Sequence, residues 1–242
     1  IARLCEEEGR VVRIPLDDLG FSLPGGRVEE LDGLPILSLV YGPDRAISLV
    51  LKRLLDIAIA AGALVVLSPV FAGVALWIRA VDGSPILFRQ VRVGVQGRRF
   101  EVVKFRSMVP DAEARLGALA AHNEIHGPAF KLTDDPRLSR TGRTLRRTSL
   151  DELPQFWNVL RGEMSVVGPR PPLPDEVADY DIWHRRRLSM KPGITGLWQV
   201  AARREQEFDR WVALDLDYID RWSLWLDLKI IVRTVPAMLQ GR

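Results

Sequence analysis

The longest apolar stretch of the chain covers residues 57–78, which contain no charged side chain. A helix needs roughly 20 apolar residues to cross the hydrocarbon core of a bilayer, so this stretch is long enough. Pro69 lies near its middle and cannot donate a backbone hydrogen bond to the carbonyl of Val65. The pattern therefore predicts a membrane helix with a weak point at Ser68 and Pro69.

Two arrangements of this helix fit the pattern. Hydropathy alone favours one straight or mildly kinked helix that spans the membrane. The alternative is a re-entrant hairpin that breaks at Ser68 and Pro69, with Arg53 and Arg79 together on the cytoplasmic face, as the bias of basic residues toward that side prefers. The Ser68 hydroxyl would then bond a backbone carbonyl that the proline leaves without a donor.

The rest of the pattern predicts an α+β, mainly helical chain with a small β-sheet. Residues 1–45 resemble the end of an α/β domain and a linker, and residues 46–242 form the second domain. Because the chain begins at Ile1 rather than Met, we expect it to be a piece of a longer protein. Strands are predicted within residues 85–106 and a helix over residues 110–123.

A further helix is predicted around residues 153–160, where apolar side chains recur at helical spacing and Gly162 provides a stop. Two starts are possible. Ser149 and Glu152 have the spacing of a capping box, whereas a start near Asp151 places Pro154 within the first turn. Both starts place adjacent carboxylates at a helix N-terminus, where the dipole favours negative charge.

Composition narrows the function without deciding it. Apolar residues make up 47% of the chain, which is ample for a folded core, and the net charge is only +3. Clustered arginines indicate contact with phosphates, nucleic acid or anionic lipid. Cys5 is the only cysteine, which excludes an intrachain disulfide and any multi-cysteine metal site.

The tryptophans of the C-terminal third belong either to amphipathic helices at a membrane interface or to an aromatic core, and the apolar stretch favours the membrane. They are Trp183, Trp198, Trp211, Trp222 and Trp225.

A second candidate site is the group formed by His122, Glu124 and His126. The spacing differs from the zinc protease pattern, in which Glu directly follows the first His. An exposed helix end is therefore the preferred interpretation.

The adjacent acids Asp151 and Glu152 are the strongest candidates for chemistry. Taken alone, such a pair is most often a helix cap. Here the surrounding sequence supplies more cations than two carboxylates need, which favours an additional polyanion such as a diphosphate. These cations are Lys104, Arg106, Arg146, Arg147 and Arg170, the last on a stiff loop between two prolines.

Six ordered motifs make the chain resemble the bacterial sugar transferase family, the monotopic polyprenyl-phosphate phosphoglycosyl transferases. The ending WSLWLDLK at residues 222–229 resembles that of long-form exopolysaccharide members, which carry a membrane bundle and a Rossmann-like domain, of which residues 1–45 would be the tail. The motifs are KRLLD (52–56), SP (68–69), KFRSM (104–108), TSLDELP (148–154), VGPRP (167–171) and KPGITG (191–196).

The resemblance implies that Asp151 is a nucleophile, that Glu152 lies beside a Mg²⁺ ion, and that both acids contribute to the metal site. A hexose-1-phosphate would pass from a UDP-sugar to undecaprenyl phosphate through a covalent aspartyl intermediate, with release of UMP. It also implies the re-entrant hairpin and a catalytic domain on the cytoplasmic face of the bacterial inner membrane. Where many relatives have Ser-Gly-Arg, this chain has Ala201, Ala202 and Arg203, so Arg203 joins the candidate substrate ligands.

The expected partners are a UDP-sugar, polyprenyl phosphate and inner-membrane lipids, with glucose or galactose as the sugar; nucleic acid is not expected, and a homo-oligomer is compatible with the sequence. Three rival functions remain. They are a nucleic-acid binder using the arginines of residues 137–147 and 184–187, a catalytically silent membrane scaffold, and a glycosyltransferase that releases UDP.

Overall fold

The computed structural model describes residues 12–15, 26–31, 34–39, 46–202 and 205–239, and within them the chain is mainly helical with small sheets. The strands are β1 (Val12–Pro15), β2 (Gly26–Leu31), β3 (Leu34–Leu39), β4 (Leu87–Val93), β5 (Arg99–Phe105), β6 (Ser165–Val167) and β7 (Gly193–Thr195). The helices are α1 (Ala46–Val66), α2 (Ser68–Val81), α3 (Leu116–Leu119), α4 (Gly142–Thr148), α5 (Gln155–Arg161), α6 (Pro174–Ala178), α7 (Ile182–Arg185), α8 (Leu197–Ala201), α9 (Phe208–Asp220) and α10 (Leu224–Leu239).

Three strands of the N-terminal region form an antiparallel sheet in the order β1-β3-β2. The central sheet of a Rossmann-like domain is mostly parallel. The origin of residues 1–45 in such a domain, and the boundary near residue 45, stay predictions.

The apolar stretch forms two helices, not one. α1 ends at Val66, α2 begins at Ser68, and the two axes differ by 59°. The Ser68 hydroxyl donates to the carbonyl of Val65 at 2.7 Å, as the proline argument predicts. Within the described residues no single helix has the length and apolar composition of a membrane span, whereas the bent pair together has both.

Both ends of the bent pair are attached to the same globular body. On α1, Arg53 donates to the carbonyls of Val159 and Leu160 at 2.6 and 2.8 Å. After α2, Arg106 donates to the carbonyls of Asp82 and Gly83 at 2.6 and 3.0 Å. The bend lies away from these attachments, and its apolar side chains, including Val65 and Val66, are exposed.

The predicted strands of residues 85–106 form the antiparallel hairpin of β4 and β5. α5 lies along the free edge of β5, where the Asn158 side chain accepts the N–H of Val103 at 3.0 Å and donates to the carbonyl of Glu101 at 2.6 Å. α5 ends at Gly162, whose φ of 82° is a conformation that glycine adopts without strain. Both the helix and its predicted stop are confirmed.

The helix predicted over residues 110–123 is wrong as a continuous element, because only α3 and a 3₁₀ turn at Ala120–His122 are helical. Between residues 110 and 122 only Ala112 is buried. Helices in proteins depend mostly on packing an apolar face, and this segment packs little of its surface against the core.

The tryptophans divide between core and surface. Trp211 and Trp222 are buried and the Trp198 ring lies 4.8 Å from that of Trp211, so these three belong to the aromatic core. Trp183 and Trp225 are exposed. Assigning all five to a membrane interface is therefore wrong, because Trp198 and Trp211 pack against each other and Trp222 packs in the core with Tyr218 and Ile230.

Candidate active site

The acidic pair lies in a 3₁₀ turn, Leu150–Glu152, between α4 and α5. Ser149 ends α4 in the left-handed conformation, and its backbone carbonyl accepts the N–H of Glu152 at 3.2 Å. Both predicted helix starts are therefore wrong, because α5 begins at Gln155 with Pro154 as its N-cap. The carboxylates precede the helix and do not cap it.

Asp151 is almost fully buried, whereas the neighbouring Glu152 is partly open to solvent. Glu152 forms an ion pair with Lys104 of β5, whose Nζ lies 3.1 Å from Oε1. The structure thus brings together an acid pair and one of the predicted cations, 48 residues apart in the chain.

Arg170 lies on the loop after β6, and its partner is Glu176 of α6. Nη1 contacts Oε2 at 2.8 Å and Nη2 contacts Oε1 at 3.1 Å, a two-pronged ion pair. Burial by itself raises the pKa of Glu176, but Arg170 holds that pKa below its usual value. Sequence reasoning missed Glu176, because its closeness to Arg170 depends on the loop between them.

Close backbone contact fixes this loop. A Cβ atom on Gly168 would lie 2.3 Å from the carbonyl oxygen of Lys191, and one on Gly193 would lie 2.1 Å from the nitrogen of Gly168. These distances are too short for any side chain. The glycines of the two motifs therefore serve to press β6 and β7 together and hold Arg170 in place.

Arg92 of β4 joins this group although it was not predicted. Its Nη1 donates to the carbonyl of Pro171 at 3.0 Å, and its Nε and Nη2 donate to Oε1 of Gln90 at 3.1 and 2.7 Å. Burial and the neighbouring Arg170 lower the pKa of Arg92 to about 10. The available signal was strand alternation, which places Gln90, Arg92 and Lys104 on one face of the hairpin.

The other predicted cations lie elsewhere in the fold. Arg106 is buried and contacts the end of α2, as described above, while the Nε of Arg146 lies 3.2 Å from the hydroxyl of Ser107. Arg147 is exposed on α4. Arg203 lies outside the residues that the structure describes. Their roles toward a substrate stay predictions.

The described residues contain no group of three or more His, Cys, Asp and Glu side chains arranged to hold a metal ion. Glu124 instead accepts bonds from the hydroxyl and the N–H of Thr133, at 2.6 and 2.7 Å, which lower its pKa. His122 and His126 are exposed. Asp151 and Glu152 remain the candidate metal ligands, as two adjacent carboxylates.

A groove of about 280 Å³ lies in the angle of the bent helix pair, against the outer face of the hairpin. Leu64, Phe71, Leu87 and the exposed Trp157 line it, and it reaches Pro154, three residues beyond Asp151. The rest of the lining is Arg89, Glu101, Val103 and Arg161, and neither Asp151 nor Glu152 belongs to it.

Comparison of the sequence with known proteins identifies the family. A family model described as "Bacterial sugar transferase" matches residues 47–241. The galactosyl transferase CpsE of Streptococcus agalactiae is 44% identical over 238 residues, which cover 98% of this chain and 53% of that protein. The exopolysaccharide production protein ExoY of Sinorhizobium fredii is 40% identical over 205 residues, covering 83% and 91%.

The UDP-glucose:undecaprenyl-phosphate glucose-1-phosphate transferase of Klebsiella pneumoniae is 38% identical over 243 residues, covering 97% of this chain and 50% of that protein. The chain therefore spans about half the length of CpsE and of the Klebsiella protein, and most of ExoY. These matches confirm the family inferred from the motifs.

Proposed function

The chain belongs to the bacterial sugar transferase family, and we propose that it transfers a hexose-1-phosphate from a UDP-sugar to undecaprenyl phosphate, releasing UMP. The reaction would be the first membrane step of exopolysaccharide synthesis. The names of the Klebsiella relative and of ExoY support the substrates and the pathway. One relative is named for galactose and another for glucose, so the proposal covers both sugars.

The observation that carries the proposal is the arrangement around the buried Asp151. Glu152 is paired with Lys104, and the guanidinium groups of Arg92 and Arg170 lie on the adjoining hairpin and loop. A carboxylate nucleophile and a diphosphate repel each other, so their reaction requires cations close by. The mostly apolar groove, whose lining includes Pro154, suits a lipid substrate.

In the first step, the Asp151 carboxylate attacks the β-phosphorus of the UDP-sugar. The bond from that phosphorus to the bridging oxygen breaks, UMP leaves with the electron pair, and the phosphosugar remains on Asp151 as an acyl phosphate. An oxygen of undecaprenyl phosphate then attacks the same phosphorus. The product is undecaprenyl diphosphate sugar, and the carboxylate is restored. The low exposure of Asp151 limits the access of water to the intermediate.

The residues present fit a Mg²⁺ ion that is shared with the substrate. Mg²⁺ is commonly held by one or two carboxylates together with substrate phosphates, and Asp151 and Glu152 provide two adjacent carboxylates. When bound there, the ion would offset negative charge on the diphosphate. Lys104 would orient the Glu152 carboxylate through their ion pair.

We further propose that the bent pair enters the inner membrane from the cytoplasmic face and returns to it. The support is that Arg53 and Arg106 attach both ends of the pair to one globular body, while the apolar bend is exposed. A spanning helix would separate these ends. The re-entrant arrangement also places the acid pair at the surface, where a soluble nucleotide sugar and a lipid phosphate meet.

Identification of the released nucleotide tests the reaction class. The purified chain in bilayer nanodiscs is incubated with undecaprenyl phosphate and UDP-glucose or UDP-galactose, and the nucleotide is separated by chromatography. UMP with a lipid-linked sugar diphosphate is the expected result. UDP as the product would establish an ordinary glycosyl transfer, and no product with either sugar would favour a silent scaffold.

A further inference from the structure

Arg92 donates to the carbonyl of Pro171, the residue after Arg170, so the positive charge of Arg170 acts on it, as do the negative charges of Glu176 and Glu152. Glu176 is occupied on both oxygens by Arg170 and also accepts the N–H of Leu173 at 3.2 Å. Arg92 donates only to the uncharged Gln90 and to a backbone carbonyl, and in the described part of the chain no carboxylate is hydrogen bonded to it. Two like charges held together in this way favour an anion as the third partner.

Two contacts hold the hairpin and the loop after β6 as one unit. The N–H of Val93 donates to the carbonyl of Pro172 at 2.9 Å, and Arg92 donates to the neighbouring carbonyl of Pro171 at 3.0 Å. The loop itself is fixed by the contact between Gly168 and Gly193. The two guanidiniums therefore keep their spacing before any ligand arrives, which lowers the entropic cost of binding.

The hairpin separates Arg92 from the apolar groove. Its outer face, with Leu87, lines the apolar groove, whereas Arg92 lies on the inner face with Lys104. A lipid phosphate that arrives along the groove comes from the outer side. Arg92 therefore does not face that groove.

We infer that Arg92, together with Arg170, binds the diphosphate of the sugar nucleotide. The inference rests on the proposed function for the identity of the ligand. Arg92 uses three of its N–H groups for Gln90 and Pro171, and guanidinium carries five. Two N–H groups thus remain for phosphate oxygens. Burial is the larger cause of the depressed pKa of Arg92 and repulsion from Arg170 is the second, and a bound anion would offset both.

The test is equilibrium binding of UDP-glucose and of UDP-galactose to the chain in detergent, with turnover measured in parallel. The variants are Arg92→Gln and Arg92→Lys. Arg99→Gln is the matched control, because Arg99 is exposed on the same hairpin and on its outer face. Arg92→Gln should raise the dissociation constant about 10-fold or more, and Arg92→Lys should raise it less. Arg99→Gln should change it by less than about 2-fold.

Gln90→Ala separates phosphate binding from a structural role. This variant removes one contact of Arg92 but leaves the guanidinium in place, so its dissociation constant should rise less than that of Arg92→Gln. Equal losses of affinity for the UDP-sugar in both variants, with equally lowered melting temperatures, would show that Arg92 only stabilises the hairpin. If Arg92→Gln does not fold, the comparison of Arg92→Lys with Arg99→Lys decides the question in the same way.

The outcomes also separate this inference from the proposed function. Normal turnover with unchanged affinity in Arg92→Gln overturns the role of Arg92 and leaves the reaction standing. Tight binding of a UDP-sugar without turnover overturns the proposed reaction. The affinities of the variants then still test whether Arg92 binds the diphosphate. A wild-type chain that binds neither UDP-sugar overturns both.

Discussion

Lys52 and Asp227 are 175 residues apart in the chain, yet their side chains form a buried ion pair with Nζ 2.7 Å from Oδ2. The contact joins α1 to α10. Tyr218 donates to the other carboxylate oxygen at 2.7 Å, and Lys52 also donates to the carbonyl of Val167. The first helix of the bent pair is therefore held by a polar network that also contains β6, the strand before the Arg170 loop.

Removing Asp227 should destabilise the chain strongly. Asp227→Ala leaves the Lys52 ammonium buried without its counter-ion, which typically costs about 3–5 kcal/mol. The control is Asp217→Ala, because Asp217 pairs with Arg221 at the surface and such pairs contribute about 1 kcal/mol or less. Thermal and denaturant unfolding in detergent measure both. Similar losses in the two variants would contradict the role given to the buried pair.

Acid should weaken the contact between Glu176 and Arg170. The pKa of Glu176 in the folded chain lies below its ordinary value of 4.5 because Arg170 favours the ionised form. Its contribution to stability is therefore complete above about pH 4.5 and is lost as the pH falls through the lower, folded-state pKa. Glu176→Gln should remove this part of the pH dependence, leaving a flatter stability profile below pH 4.5 in denaturant titrations. An unchanged profile would contradict it.

The sequence predicted elements whose signals are local. The break at Ser68, the strands of residues 85–106 and the stop of α5 at Gly162 each follow from one residue or a short stretch of sequence. The position of the acid pair was predicted less well. Serine is a common N-cap residue, but the left-handed backbone of Ser149 ends α4, and the next α-helix begins only at Gln155.

The site could be predicted only in part, because the side chains that contact one another in it are far apart in the sequence. Lys104 was named as a substrate ligand, and the structure adds that Glu152, 48 residues away, is its partner. Arg92 was not predicted as a site residue. Strand alternation indicates the face of the sheet on which a side chain lies, but not which other residues pack against that face. Its neighbours Pro171 and Arg170 are placed there by β6, β7 and the glycines between them.

Replacing Pro69 should change how the apolar segment sits in the membrane. In a Cys5→Ser background, which has no other cysteine, Ile47→Cys, Arg79→Cys and Val66→Cys place labels near both ends and at the bend. A membrane-impermeant maleimide should label neither end position from outside intact spheroplasts, but both after lysis. Pro69→Ala restores a backbone donor and should allow a straighter helix, with outside labelling at one end and lower activity. Opposite-sided labelling without the Pro69 change would contradict the re-entrant arrangement.

Shortening Trp157 should affect the lipid substrate more than the nucleotide sugar. Trp157 is 53% exposed and lines the apolar groove, so its indole contributes little to the core. Trp157→Ala should raise the KM for undecaprenyl phosphate about 10-fold, the effect of losing roughly 1.4 kcal/mol of apolar contact, while the KM for the UDP-sugar stays within about 2-fold. Trp225→Ala, which removes an exposed indole outside the groove, is the control. Equal changes for both substrates would remove the groove from the acceptor site.

Asp151→Asn should abolish turnover while the fold is kept. The amide has nearly the shape of the carboxylate but is a poor nucleophile toward phosphorus, so turnover should fall by about 10³-fold or more. Glu152→Gln is the matched control, since it removes the same charge one residue away; it should weaken the response to Mg²⁺ and retain the nucleophile. Melting temperatures show whether both variants are folded.

The covalent adduct separates the two acids directly. Incubation of the wild-type chain with UDP-glucose or UDP-galactose alone, followed by acid quench, proteolysis and mass spectrometry, should add one hexose phosphate to the peptide that contains Asp151. Glu152→Gln should give the adduct at the same residue but more slowly, and Asp151→Asn should give none. The acyl phosphate should also disappear when undecaprenyl phosphate is added before the quench, because the acceptor attacks the same phosphorus. An adduct in Asp151→Asn, or transfer by that variant at nearly the wild-type rate, would show that another group is the nucleophile.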